Sequence, residues 1–199
     1  MKRLGVLASG GGTNLQSIID STSKGILKGL GEVVLVISNN PNAYALKRAA
    51  NENIKSVCVE RKNFKDEKSF NDIILKELQS VRVDIVCLAG YIRLIGREII
   101  ESYRNKILNI HPALLPKFGG RGMYGHYVHE AVVKSKETVS GATVHFVDEN
   151  YDTGKIIIQQ KVKICGNDTP QDIAEKVLIV EHEIYPKAIR ILIEDLDKF

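Results

Sequence analysis

Five short, continuous apolar runs, each closed by a small or polar residue, dominate the first half of this chain and limit what it can fold into. Residues 4–8 lead into Ser9-Gly10-Gly11-Gly12-Thr13-Asn14, after which Leu15, Ile18 and Ile19 share one helical face. Gly31 precedes a second run at 32–38, Asn39-Asn40-Pro41-Asn42 turns the chain, and 43–51 reads as a helix. A shorter run spans 56–59, and Phe70, Ile73, Ile74 and Leu78 repeat with the helical period. The run at 84–89 ends at Gly90, and the last at 107–110 ends before Pro112, which cannot continue a ladder. Strands that are apolar throughout are buried on both faces. Alternating with helices, they predict an α/β fold: a mostly parallel, twisted sheet with helices on both faces, Rossmann-like in plan.

The second half departs from that rhythm. A helix is expected around 129–134, then late antiparallel strands at 141–147 and 155–164 flanking the turn 148–154. A long C-terminal helix begins at Pro170, with Thr169 as N-cap and Asp172 in its first turn. Pro186 should kink it. For the first helix, Thr13 or Asn14 is the expected N-cap. Nothing repeats, and a single domain over 1–199 is the economical reading.

Composition narrows the function classes. With 44% hydrophobic and 26% charged residues, the chain has enough apolar material for one core. The net charge of +4 is spread along the chain with no basic run, which argues against nucleic acid and is compatible with an anionic substrate. Cys58, Cys87 and Cys165 are far apart in apolar surroundings and read as reduced core residues of a cytoplasmic protein. Met1-Lys2-Arg3 leads directly into a strand, without a signal peptide, and no segment has the ~20 apolar residues of a membrane span.

Ligands of parallel sheets bind beyond the carboxyl ends of the strands, where Ser9, Ser38, Gly90, Asn109 and His111 fall. The glycine turn offers bare amides at a helix N-terminus, which suits a phosphate. A P-loop needs Lys-Ser/Thr where Leu15-Gln16 stands, and a dinucleotide site needs an acid where the second strand ends Ser38-Asn39-Asn40. A monophosphate is therefore the better reading; the plain alternative is a tight structural turn.

In Leu108-Asn109-Ile110-His111-Pro112 the period of two points Asn109 and His111 the same way, away from the core side of Leu108 and Ile110. An amide and an imidazole side by side suit a developing oxyanion. The plain alternative is a strand end with two polar loop residues. In the acidic turn, Thr153-Gly154 bends the chain so that Asp152 aims inward. Facing His111, it would orient the ring and raise its pKa above ~6.5. His145 alternates within its strand and reads as structural; His126, His129 and His182 lie in loop or helix. None has the spacing of a metal site, and no nucleophile elbow appears.

These segments carry a family resemblance. Val6-Leu7-Ala8-Ser9-Gly10-Gly11-Gly12-Thr13-Asn14-Leu15-Gln16, Leu88-Ala89-Gly90-Tyr91-Ile92-Arg93-Leu94-Ile95, Leu108-Asn109-Ile110-His111-Pro112-Ala113-Leu114-Leu115-Pro116, the stretch from Gly141 through Tyr151-Asp152-Thr153-Gly154, and Glu181-His182-Glu183-Ile184-Tyr185-Pro186 resemble the glycinamide ribonucleotide formyltransferases, in order and over nearly the whole chain. The resemblance implies formyl transfer from 10-formyltetrahydrofolate, as co-substrate and without a metal, to the amine of glycinamide ribonucleotide in purine biosynthesis, by a cytoplasmic monomer or homodimer that needs neither membrane nor nucleic acid. It implies Asn109, His111 and Asp152 as the catalytic set, with a charged His111 and Asn109 donating to the formyl oxygen. Gly12, Thr13 and Asn14 would bind the nucleotide phosphate and Glu181 its ribose. Ile92, Arg93, Leu94, Ile95, Asn109 and the loop 148–152 would line the folate pocket. Where the family carries a basic residue toward the folate glutamate, Glu67 stands with Lys68 beside it, making Lys68 the candidate. The glycine-rich loop 117–129 would act as a lid, and Leu115-Pro116 would be cis. The related alternatives are a formyltetrahydrofolate hydrolase, which would carry an N-terminal regulatory domain, and a tRNA-directed formyltransferase, which would carry a basic C-terminal one. From another class, a silent phosphate-binding module would lack the full catalytic set.

Overall fold

A computed structural model describes residues 1–198. Seven strands form one sheet: β1 (Lys2–Leu7), β2 (Gly31–Ser38), β3 (Ser56–Cys58), β4 (Ile85–Leu88), β5 (Ile107–His111), β6 (Val139–Phe146) and β7 (Ile156–Lys163). Their spatial order is β3-β2-β1-β4-β5-β6-β7. The first five are parallel, and β6 and β7 continue the sheet antiparallel. The chain winds outward from β1 in both directions, so a crevice opens between the carboxyl ends of β1 and β4, the usual ligand position in such sheets.

The strands bury both faces through their period of two. On one face Leu4, Val6, Cys87, Leu108, Ile110 and Val144 pack beneath α1 (Thr13–Lys24), α2 (Tyr44–Asn51), α5 (His126–Lys134) and α6 (Pro170–Leu196). On the other, Leu7, Leu35, Ile37, Val86, Leu88 and Ile107 pack against α3 (Glu67–Ser80) and α4 (Arg97–Ser102). The α/β reading of the sequence thus holds, including the late antiparallel pair. Helix α4 and a single 3-10 turn at Arg61–Asn63 are additions, too short to leave a periodic signal.

Two local expectations are corrected. The N-cap of α1 is Gly12, in the left-handed region with φ 69°, and not Thr13 or Asn14, which are already helical. Only Cys87 is buried, while Cys58 and Cys165 are exposed, so the cysteines are not uniformly core residues. Pro186 lies inside α6, which is assigned as one helix over its 27 residues.

A proline lacks the N–H that would bond the carbonyl four residues earlier, here that of His182. Ser17 Oγ on α1 donates to that carbonyl at 2.7 Å. The freed acceptor thereby becomes a tie between two packed helices. Further along α6, the fully buried Tyr185 hydroxyl reaches the carbonyls of Leu88 at 2.9 Å and Leu108 at 3.1 Å, fastening α6 to β4 and β5 close to the site.

Ser17→Ala should cost ~1 kcal/mol of stability, the worth of one hydrogen bond. In a Pro186→Ala background the cost should shrink, because the restored helix N–H takes the His182 carbonyl. Urea unfolding of the four proteins in this double-mutant cycle measures it; the same cost in both backgrounds would disprove the link.

Candidate active site

The first turn of α1 at Asn14, the end of β4 and the end of β5 converge on a cavity of about 750 Å³. Asn14, Gly90, Tyr91, Ile92, Asn109, His111, Tyr151 and Glu181 line it, roofed by Gly120, Gly122, Met123 and Tyr124 of the glycine-rich loop. Ser9 joins the two strand ends beneath it: its N–H donates to Gly90 O at 3.1 Å, its hydroxyl donates to Asn39 Oδ1 at 2.6 Å, and the same oxygen accepts from Ile92 N at 3.1 Å.

At the end of β5, Asn109 and His111 occupy the same face, as the period of two requires. Asp152 reaches them from the turn after β6. It sits at φ 57°, an uncommon conformation for a side-chain-bearing residue. A Cβ on Gly119 would come within 3.2 Å of the Asp152 Cβ, so the loop passes close behind. The Asp152 carboxylate accepts from Gly120 N at 3.0 Å and from Asn109 Nδ2 at 3.3 Å, and stands 3.5 Å from His111 Nδ1 and from His145 Nε2. Burial works to raise this carboxyl; His145, His111 and the Gly120 amide together outweigh it and hold the group below the usual carboxylate range.

The partners determine the imidazole tautomers. His145 Nδ1 lies 2.7 Å from Phe146 O, and a carbonyl only accepts, so Nδ1 carries the hydrogen. Its Nε2 then accepts from Asn109 Nδ2 at 3.1 Å. Both N–H bonds of the Asn109 amide are thus used, one on His145 and one on Asp152. His111 Nε2 lies 2.8 Å from Phe118 O and must donate to it, leaving Nδ1 toward Asp152.

His111 corrects one sequence-based expectation. Burial lowers its pKa below the usual 6.5; Asp152 and the Phe118 carbonyl oppose this but do not overcome it, and His145 adds to the lowering. The shift favours the neutral ring, whose Nδ1 faces the Asp152 carboxylate at 3.5 Å.

At the other end of the cavity Asn14 Nδ2 donates to Glu181 Oε2 at 2.6 Å, and Asn14 Oδ1 is buried without a partner. Burial pushes the Glu181 carboxyl up to about 7, against the Asn14 hydrogen bond. A buried, unpaired amide oxygen beside a buried acid, both on a cavity wall, is unfinished hydrogen bonding of the kind a polyhydroxylated ligand completes. Thr13 faces the other way, into a smaller polar pocket of about 360 Å³ with Gln16, Arg48 and His182. Gly12 is required where it stands: beside its positive φ, a Cβ there would lie 2.8 Å from that of Ala45.

Of the residues read as folate-lining, Ile92 and Asn109 face the main cavity. Ile95 is buried in the second core, and Leu94 is exposed outside the cavity. Arg93 turns to Glu67 at 2.7 Å and lies over the Phe70 ring. Lys68 does not line the cavity; it pairs with Asp72 one turn along the exposed surface of α3, at 2.7 Å. The sequence reading undervalued His145 and His129. His145 is opposite Asn109 in the β5–β6 register, a pairing that an antiparallel alignment of the two strands discloses. His129 lines the cavity beneath the roof, held neutral with a pKa of about 4 by burial and by repulsion from His111 and His126. Among the described residues, no group of three or more His, Cys, Asp or Glu side chains is placed to hold a metal, and no helix is long and apolar enough to cross a membrane.

Comparison with known proteins agrees with this geometry. The family model described as formyl transferase matches residues 2–189. The chain is 39% identical over its full length to a chloroplastic phosphoribosylglycinamide formyltransferase of Arabidopsis thaliana, spanning 68% of that protein. It is 40% identical over 96% of its length to the trifunctional purine biosynthetic protein adenosine-3 of Chironomus tentans, of which it spans only 14%. Its fold superimposes on the crystal structure of glycinamide ribonucleotide transformylase 1 from Symbiobacterium toebii with a TM-score of 0.92, at 39% identity, covering 98% of this chain and 89% of that one. The chain therefore belongs to the formyl transferase family, alongside the phosphoribosylglycinamide formyltransferases.

Proposed function

We propose that the protein transfers a formyl group from 10-formyltetrahydrofolate to the amine of glycinamide ribonucleotide. The observation that carries this reading is the meeting of Asn109, His111 and Asp152 at one end of a cavity whose other end holds the Asn14–Glu181 pair. The family membership and the named relatives support it.

The two ends divide the work. The nucleotide's phosphate lies against the amides at the start of α1, where the helix end favours an anion. Its ribose hydroxyls meet Glu181 and the unpaired Asn14 oxygen. The folate enters over Tyr91, Ile92 and Tyr151 and brings its formyl group to the end of β5.

The acceptor amine attacks the formyl carbon. A carbon–nitrogen bond forms, the formyl oxygen gains negative charge, and the amine nitrogen becomes acidic. Asn109 gives up its longest bond, that to Asp152 at 3.3 Å, and donates to the oxyanion. His111 Nδ1, bare in the neutral ring, takes the amine's proton. The resulting imidazolium has an acceptor on each nitrogen, Asp152 and Phe118 O. Collapse breaks the bond to the folate nitrogen, which receives that proton. His111 therefore works as a proton carrier that charges during the reaction, rather than as a resting cation. Holding both substrates in one cavity supplies further acceleration through proximity.

Formyl loss from 10-formyltetrahydrofolate should require glycinamide ribonucleotide; loss without the acceptor would indicate a hydrolase, and no loss a binding module. His111→Ala and Asp152→Asn should each lower kcat by a factor of roughly 100 or more. Near-normal turnover in either would remove the assignment.

The imidazole of His111, followed by NMR against pH, should titrate below 6.5. In Asp152→Asn it should titrate lower still, since the carboxylate is what favours its charge. The sign for stability follows: a depressed folded-state value means that the unfolded chain binds the proton more readily. This contribution is complete above the unfolded value and is lost as pH falls from about 6.5 toward the folded one. A wild-type titration above 6.5 would restore a charged resting His111 and overturn the proton-carrier role.

A further inference from the structure

The glycine turn has a reverse side that ligand binding does not explain. Ala45 N–H, in the first turn of α2, donates to Gly10 O at 3.1 Å. Arg48, one turn further on, donates from Nε to Gly11 O at 2.8 Å and from a terminal nitrogen to Gln16 Oε1, on the first turn of α1, at 3.2 Å. Its guanidinium also lies 5.0 Å from the Tyr44 ring centre. Among the described residues no carboxylate forms an ion pair with it, and it lines the small polar pocket with Thr13, Asp20 and His182.

A turn binds an anion only while its amides, and not its carbonyls, face the ligand. Glycines make that orientation easy to lose, because a glycine peptide flips at little steric cost. A flip at Gly11 would turn its carbonyl toward the phosphate. The hydrogen bond from Arg48 opposes the flip with a charged donor, and its cation remains without an acidic partner next to the anion site.

We propose that Arg48 is a positioning residue for the phosphate of the acceptor: it holds the Gly11 carbonyl to the rear and keeps the turn's amides forward. This rests on the reading that the turn holds the acceptor's phosphate. The role is distinct from filling space, because it falls on one substrate and one group of that substrate.

The test compares wild type, Arg48→Met and Arg48→Lys, each checked by thermal unfolding. In Arg48→Met the KM for glycinamide ribonucleotide should rise roughly tenfold or more, the effect of losing one hydrogen bond to a charged group, while the KM for the folate and kcat change far less. The Kd for inorganic phosphate, measured calorimetrically, should rise in parallel. Arg48→Lys, which keeps the charge and can donate once, should fall between the two. An unchanged acceptor KM and phosphate Kd in Arg48→Met, or an equal rise for both substrates, overturns the proposal. If Arg48→Met does not fold, the same criteria apply to Arg48→Lys. If wild type shows no acceptor-dependent transfer, the reading of function fails, and the Arg48 inference is judged on phosphate alone: equal Kd values in wild type and variant overturn it.

Discussion

The carboxylate of Asp152 is the constraint from which the reactive end of this molecule is built. A buried anion must be compensated by charge or by hydrogen-bond donors, or it will not stay ionised. Here the standing donors are the Asn109 amide on β5 and the Gly120 amide in the roof, and the rings of His111 on β5 and His145 on β6 each lie 3.5 Å from the carboxylate, ready to face it with charge when protonated. Those groups meet only because β6 runs antiparallel to β5 in a register that sets Asn109 against His145 and His111 against Thr143. The same register binds the segment after β5 as well, since Thr143 Oγ1 donates to Ala113 O at 2.6 Å and accepts from Leu115 N at 3.2 Å. The departure of the last two strands from the parallel pattern is therefore what assembles the wall proposed as catalytic.

Much of this was legible in the chain. Residue types of period two place Asn109 and His111 together without any coordinates, and continuous apolar runs reveal a sheet buried on both faces. What stayed hidden has physical reasons. The pKa of His111 depends on the competition between burial and a carboxylate, and a sequence shows the carboxylate but not the depth. His145 was read as structural because its partner is 36 positions away and is assigned only by strand register. The partner of Lys68 is Asp72, four residues along the exposed face of the same helix, a pairing that the sequence reading did not weigh. Gly12 replaced Thr13 as the cap because a left-handed residue ends the turn, and Thr13 is then already inside the helix. Cys58 and Cys165 have apolar neighbours in sequence, but Cys58 lies on the edge strand β3 and Cys165 follows β7, where exposure is ordinary.

The two ends of the cavity obtain their polarity by different means. At the glycine turn it comes from the backbone: α1 starts there, and the Gly10 and Gly11 carbonyls are taken up by Ala45 and Arg48. At β5 it comes from side chains whose donors already satisfy one another. On the proposed function, the first arrangement meets its ligand as it stands, and the second exchanges an internal bond for one to the substrate. That difference suits their tasks. A phosphate is charged before and after reaction and needs a standing site, whereas an oxyanion exists only in passage and calls for donors that are released when it forms.

The ends must also keep their spacing, since a misplacement of about 1 Å is costly to a reaction between two bound substrates. Helix α6 spans the distance. It carries Glu181 on the cavity wall, and four residues later Tyr185, whose hydroxyl is bonded to the carbonyls of Leu88, which pairs with Asn109 in register, and of Leu108, which precedes it. The intervening His182 carbonyl is tied to Ser17 on α1, the helix whose start is the proposed anion site. One turn of helix thus touches the glycine turn's helix, the ribose wall and both central strands. A proline at position 186 is tolerated there because the acceptor it frees is used for that junction. The rigidity of the site is set as much by this buried turn of α6 as by the strands that carry the reactive groups.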